Sequence, residues 1–231
     1  MNYQELFDQI QAYTENQFPA TYLANGSTVS YTTQINTFIQ QAEDRIYNTV
    51  QIPSLRKNVT GNCSSTTTYL GCPNDYLSTY SMAVIDGDGV YEYLLNKDVN
   101  FIRAAYPDPT DTGLPKYYAL FGSRLNDPNE LTFMLGPKPD SDYGVELHYN
   151  AYPESIVDAG TSWLGDNYSP ALLYGSLVEA YTVYMKGEPD LTNIYIQRYQ
   201  EAMQQLNRLG TGLERNDAYR KGQTSLPYTQ L

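Results

Sequence analysis

The segment Asn167–Gly210, NYSPALLYGSLVEAYTVYMKGEPDLTNIYIQRYQEAMQQLNRLG, constrains the fold more than any other part of the chain. It carries two helical periodicities with a very short break between them. Ser169 is placed to cap the first helix, its hydroxyl accepting a free first-turn N–H, and Pro170 follows where proline is tolerated. Leu173, Leu177, Tyr181 and Tyr184 recur at helical spacing, and Gly187 supplies a left-handed stop. Pro189 restarts the chain. Leu191, Ile194, Tyr195, Tyr199, Met203 and Leu206 form a second stripe, closed by Gly210. Helices joined this tightly have to fold back on each other as an antiparallel hairpin.

A lone hairpin leaves apolar faces uncovered, and the N-terminus offers two helices to cover them. Tyr3, Leu6, Phe7, Ile10 and Tyr13 make an amphipathic stripe over residues 3–14. A second helix is predicted from Thr33 to Val50, with Ile35, Phe38, Ile39, Ala42 and Ile46 on one face and Pro53 barring its continuation. Between them, Glu15–Thr32 reads as a loop, with Pro19, Asn25-Gly26 and many hydroxyl residues.

Residues 54–152 change character. A polar turn at Gly61–Thr66 between Val59 and Tyr69-Leu70 predicts a hairpin. Tyr80–Ile85 and Val90–Leu95 read as strands about the turn Asp86-Gly-Asp-Gly89, and Asp98 as the cap of a short helix ending near Ala105. After the loop YPDPTDTGLP come the strand-like runs Lys116–Phe121, Leu131–Leu135 and Val145–Ala151. In the last, Val145, Leu147, Tyr149 and Ala151 alternate with Glu146, His148 and Asn150, the period-two pattern of an antiparallel sheet with one buried face. The expected fold is α+β: a four-helix bundle from residues 1–53 and 165–210, an inserted antiparallel β domain at 54–164, and an extended C-terminal tail at 211–231.

Charge narrows the function classes. Of 14 basic and 26 acidic residues, five basic and three acidic lie from Arg198 onward, which leaves the preceding body at −14. So acidic a surface argues against wrapping DNA, because phosphate binding needs Lys and Arg to displace counterions. It suits a surface that DNA passes without sticking. The 24 Tyr against 6 Phe and 1 Trp suit half-wet interfaces and raise the expectation of subunit contacts. No apolar run reaches the roughly 18 residues that cross a bilayer. The N-terminus MNYQELFDQI shows no basic, apolar leader pattern, so synthesis and retention in the cytoplasm are expected, with Cys63 and Cys72 as reduced structural thiols.

The usual catalytic constellations are missing. His148 is the sole histidine, on the polar side of an alternating strand. With two cysteines it cannot furnish a zinc site of plausible spacing, so no metal and no cofactor are expected. Asp86-Gly-Asp88-Gly with Glu92 lacks the remaining ligand positions of a calcium loop and reads as a turn. There is no phosphate-cradling Gly-rich loop and no Gly-x-Ser-x-Gly elbow. A Tyr-rich carbohydrate-binding module remains an alternative, and a glycosidase with paired carboxylates a more distant one.

The ordered motifs FIQQAEDRI (Phe38–Ile46), PNDYL (Pro73–Leu77), PKYYALFG (Pro115–Gly122), LTFMLGPKP (Leu131–Pro139) and VELHYNAYP (Val145–Pro153), followed by the helix hairpin, resemble the head-to-tail adaptor proteins of short-tailed bacteriophages. The resemblance covers about Tyr3 to Leu209. It implies a non-enzymatic virion protein at the head–tail interface, a twelve-subunit ring joining the portal protein to the tail nozzle protein, and a channel through which genomic DNA passes without specific binding. It also implies that the C-terminal extension reaches the portal. Arg215, Tyr219, Arg220 and Lys221 would then supply charge and stacking, and Leu226, Pro227, Tyr228 and Leu231 apolar anchors. Glu43, Arg45 and Gly175 are candidates for the subunit interface, with pairing inside one subunit the favoured reading for the two charges.

Overall fold

The computed structural model describes residues 1–15, 21–22, 28–122, 131–183 and 189–213. In chain order the elements are α1 (Tyr3–Thr14), β1 (Thr21–Tyr22), β2 (Thr28–Val29), α2 (Tyr31–Thr49), β3 (Arg56–Cys63), β4 (Tyr69–Gly71), β5 (Tyr76–Ile85), β6 (Tyr91–Tyr93), β7 (Leu95–Asn96), α3 (Val99–Ala105), β8 (Tyr117–Phe121), β9 (Thr132–Gly136), β10 (Tyr143–Ala151), α4 (Ile156–Ala159), α5 (Trp163–Asn167), α6 (Ser169–Val183) and α7 (Pro189–Leu213). The class is α+β. The chain divides into two compact units, one made of residues 1–54 with 154–231, the other of 55–153. Residues 154–164, grouped with the β domain on sequence, belong to the helical unit and form α4 and α5.

In the helical unit, local chemistry sets the helix starts. Asn2 and Glu5 form a capping box on α1, each side chain bonding the other's backbone N–H. Ser30 caps α2 by accepting from Thr33 N–H, so this helix begins before the predicted Thr33. The predicted loop between them contains a small antiparallel ladder, Thr21↔Val29 and Tyr22↔Thr28.

Helix α6 has Ala171, Leu172, Leu173, Ser176, Leu177, Val178, Glu179, Ala180 and Tyr181 all buried, so it is covered on nearly every side. A helix apolar all round has to lie inside. Helices α1, α2, α5 and α7 pack on it. Leu6, Ile10, Ile35, Phe38, Ile39, Leu172 and Leu177 share one apolar cluster around it. Tyr184 and Gly187, read as the end of this helix, lie outside the described residues.

Helix α7 departs from expectation in two ways. It does not stop at Gly210 but continues to Leu213. A Cβ at Gly210 would stand 3.1 Å from the Gln51 carbonyl oxygen, so this glycine permits close backbone approach and is not a terminator. The predicted stripe is also only partly inward: Leu206 is fully buried, whereas Leu191 and Ile194 are exposed.

The β unit contains two four-stranded sheets, ordered β3-β10-β5-β6 and β4-β9-β8-β7. Met82, Val84, Val145, Leu147 and Tyr149 of the first meet Tyr118, Phe133 and Leu135 of the second in one core, which also holds the buried side chains of Cys63 and Cys72. Tyr76 anchors it, edge-on to Phe133 at 5.4 Å and stacked on Tyr149 at 6.1 Å.

Three strand readings need correction. The polar turn after β3 makes no hairpin: β3 pairs with β10 and β4 with β9, so the turn carries the chain from one sheet to the other. The run Val90–Leu95 divides at buried Leu94, with β6 staying in the first sheet and β7 joining the second, parallel to β8. Helix α3 lies in that β7–β8 connection, as a parallel pairing requires a crossover. Asn150, assigned to the polar face, is buried. Register shifts at His148/Tyr149 and Asn150/Ala151 interrupt the alternation, and its amide is satisfied by Ser78 Oγ at 2.8 Å and Arg56 Nε at 3.3 Å.

One glycine tests the helical packing. A Cβ on Gly175 would stand 3.1 Å from both Ala42 Cβ on α2 and Tyr199 Cε2 on α7. Gly175→Leu is expected to destabilise the chain by about 1–3 kcal/mol through overpacking, against a propensity gain of about 1 kcal/mol. A thermal melt checks this. An unchanged Tm would show that α2 and α7 are not held at this spacing.

Candidate functional site

The three interface candidates of the helical unit lie close together along α2 and α6, and each is engaged within the chain. Glu43 is 3% exposed. Its two carboxylate oxygens accept from Ser155 Oγ at 2.6 Å and from Ile156 N–H at 3.0 Å, which ties α2 to the start of α4. Ser155 in turn caps α4 by accepting from Val157 N–H. Burial raises the Glu43 pKa above the usual carboxylate value, opposed by these two donors, and neighbouring Asp44 and Asp158 push the same way as burial. Arg45, one position past the next residue, donates to Glu179 on α6. Its side chain is still 47% exposed, while that of Glu179 is 12% exposed. At Gly175, Ala42 of α2 and Tyr199 of α7 both approach α6 closely.

Sequence reasoning missed Glu179 and Ser155. Both sit in segments whose patterns read as apolar or loop, and nothing local marks a partner more than a hundred residues away.

Beside this cluster, a groove of about 750 Å³ runs along the C-terminal half of α7, lined by Thr49, Val50, Met203, Asn207, Arg208 and Thr211. A smaller one of about 260 Å³ is lined by Arg45, Thr49, Tyr199 and Met203. The tail residues Arg215, Tyr219, Arg220, Lys221, Leu226, Pro227, Tyr228 and Leu231 lie outside the described residues.

The β unit presents a different surface. Tyr80, Val90, Tyr91, Tyr93, Leu95, Phe101, Leu120 and Phe121 are all large, apolar or aromatic, and exposed. Arg56 stacks over the Tyr80 ring at 4.1 Å. At the start of β3, Lys57 pairs with Asp75, which also accepts from Tyr149 Oη at 2.8 Å. Burial works against the Asp75 carboxylate, but the Lys57 and Tyr149 donors prevail and lower its pKa. Tyr149 is correspondingly pushed up to about 12, by burial first and then by Asp75.

His148 Nδ1 lies 3.3 Å from Ser81 Oγ on a half-buried strand position. Asp86 closes its turn by accepting from Asp88 and Val90 N–H, each at 2.9 Å, with Gly89 at φ +82°. A cleft of about 170 Å³ holds Arg103, Asp108, Asp111 and Lys138. Among the described residues, no three His, Cys, Asp or Glu side chains are grouped to hold a metal, and no helix is long and apolar enough to cross a membrane.

A comparison of families finds a match over nearly the whole chain. The model of the SU10 adaptor protein family matches residues 1–224. The chain belongs to the SU10 adaptor protein family. No curated protein matches it. This is a family of phage adaptors, which makes the adaptor a structural component of the virion, associated with portal and tail proteins.

The Glu43 lock gives the adaptor a specific pH signature. Because the folded-state pKa is raised, the folded chain binds this proton more tightly than the unfolded one. That contribution is fully present below the unfolded pKa and is lost as pH rises through the folded value. Glu43→Gln is expected to remove this dependence, so the Tm of the parent minus that of the variant should fall between pH 4 and pH 7. Glu43→Ala should cost about 2 kcal/mol at pH 4, because both donors lose their acceptor, and less as pH rises and the parent loses this contribution. A flat Tm difference would place Glu43 in solvent.

Proposed function

We propose that this chain is a head-to-tail adaptor that assembles as a ring beneath the portal, joins it to the tail nozzle, and forms part of the conduit for the genome. The match to the adaptor family over nearly the whole chain carries this reading. The helical unit, with helices from both ends of the sequence around α6, acts as the four-helix wedge of each subunit, and the β unit as its platform for tail proteins. Subunits number twelve in the ring.

The acidic body supports the conduit role. A wall of like charge disfavours lingering contacts with DNA phosphates, and the effect weakens with salt. In this reading residues 214–231 are the portal-docking tail. Arg215, Arg220 and Lys221 would meet acidic portal surface, and Leu226, Pro227, Tyr228 and Leu231 would seat in apolar pockets. Arg45, half-exposed beside its buried partner, is the one candidate of the three in the helical unit with a side chain free to reach a neighbouring subunit as well.

Deleting residues 214–231 is expected to abolish capture by the portal protein while shifting Tm by no more than roughly 2 °C, since the deletion spares α7, Pro189–Leu213. Electron microscopy of adaptor mixed with portal should show an added ring for the full chain and none for the truncated one. Undiminished capture by the truncated chain would remove the tail from the interface.

A further inference from the structure

Among the described residues, the sheet β3-β10-β5-β6 ends in two different strands, β3 and β6, with no further partner strand. Strand β3 pairs with β10 over eight consecutive residue pairs, Cys63↔Tyr143 through Arg56↔Asn150, without a register shift. Its residues 57–62 are all exposed. Proteins normally blunt such an edge with a bulge, a proline or charges along its length. Here the charges are confined to Arg56 and Lys57 at one end, and Lys57 is turned to Asp75. Val59, level with core residues Leu147 and Met82, is left 40% exposed.

At the other edge, Leu94 N–H donates to Met82 O at 2.9 Å and Asp86 N–H to Val90 O at 3.1 Å. Antiparallel alternation then makes Val84 and Glu92 the hydrogen-bonded pair between them. Tyr91 and Tyr93 occupy the other kind of position, with N–H and C=O directed away from the sheet. Their side chains are 48% and 65% exposed, and no other described strand pairs with β6.

We infer that neighbouring copies of this chain join head to tail by β-augmentation, strand β6 of one subunit pairing antiparallel with strand β3 of the next. This rests on the ring reading above, since a closed ring needs a heterologous contact between two different surface patches. The strand directions permit it. Directions alternate across β3, β10, β5 and β6, so a following β3 arrives antiparallel to β6 and continues the sheet. The faces also agree. Within one subunit Tyr93 is level with Ala83, Glu146 and Thr60, and Leu94 with Met82, Leu147 and Val59. An unstaggered joint sets Leu94 beside the half-open Val59 of the next copy and lays Tyr93 beside its Thr60. Backbone bonds supply the affinity, and the tyrosines cover the seam. The occupant is thus a second copy of this chain, through a strand it already carries.

Cysteine pairing in the full-length chain tests this, with Cys63 and Cys72 left buried in place and the parent chain as control. Thr60→Cys and Tyr93→Cys in the same chain should give, on mild oxidation of portal-bound rings, a ladder of cross-linked multimers on non-reducing gels. Either substitution alone should give none. Dimers from Thr60→Cys alone would mean a two-fold β3–β3 contact and would overturn the proposal. Portal-bound rings of the parent with no ladder from the double variant would also overturn it, leaving the ring reading intact. A ladder without rings would sustain the strand pairing and sink the ring. Absence of both would sink both. As a second probe, Tyr93→Pro removes an outward N–H and no bond within the sheet. It should lower ring yield roughly tenfold at unchanged Tm, and an undiminished yield would overturn the proposal.

Discussion

Everything in the helical unit follows from having to cover α6. This helix offers no polar face to water, so it is stable only if other helices enclose it, and those come from both ends of the chain. Enclosure requires close approach, which Gly175 and Ala42 allow at the α2 crossing and Gly210 allows against the Gln51 carbonyl. It also traps polar groups. Glu179 on α6 is mostly covered and is matched by Arg45, Ser176 bonds back to the Leu172 carbonyl at 2.8 Å, and Glu43 is spent on the donors of α4. A carboxylate removed from water without such donors would cost several kcal/mol.

The β unit solves a different problem. Its two sheets share a core thick with tyrosine, and each buried hydroxyl that is anchored finds a local acceptor: Tyr149 on Asp75, Tyr76 beside Thr79 at 2.7 Å. Tyr80 and the β6 residues Tyr91 and Tyr93 face outward. The composition therefore serves two purposes, a satisfied interior and an adhesive exterior, and both suit a protein whose role is to be held between others.

Legibility in the sequence tracked the range of the interaction. Helices α1 and α2, the Asp98-capped α3 and the Asp86 turn were readable because caps, periodicity and turn chemistry act within a few residues. The order of motifs carried the family, which the match over residues 1–224 bears out. What could not be read was pairing at a distance. No local signal tells β3 to choose β10 over the nearer β4, or Arg45 to reach Glu179. Gly210 misled for a related reason, since a glycine that admits a neighbouring backbone looks in sequence like one that ends a helix.

The register Arg56↔Asn150 has a consequence for how such a molecule changes over time. The β unit opens on β3 and closes on β10, so its two chain ends leave from adjacent strands, a few ångströms apart. A module tethered at so narrow a gate can gain loops, shed strands or be exchanged wholesale while the helices keep their spacing. Selection is then free to rework one half of the gene without renegotiating the other.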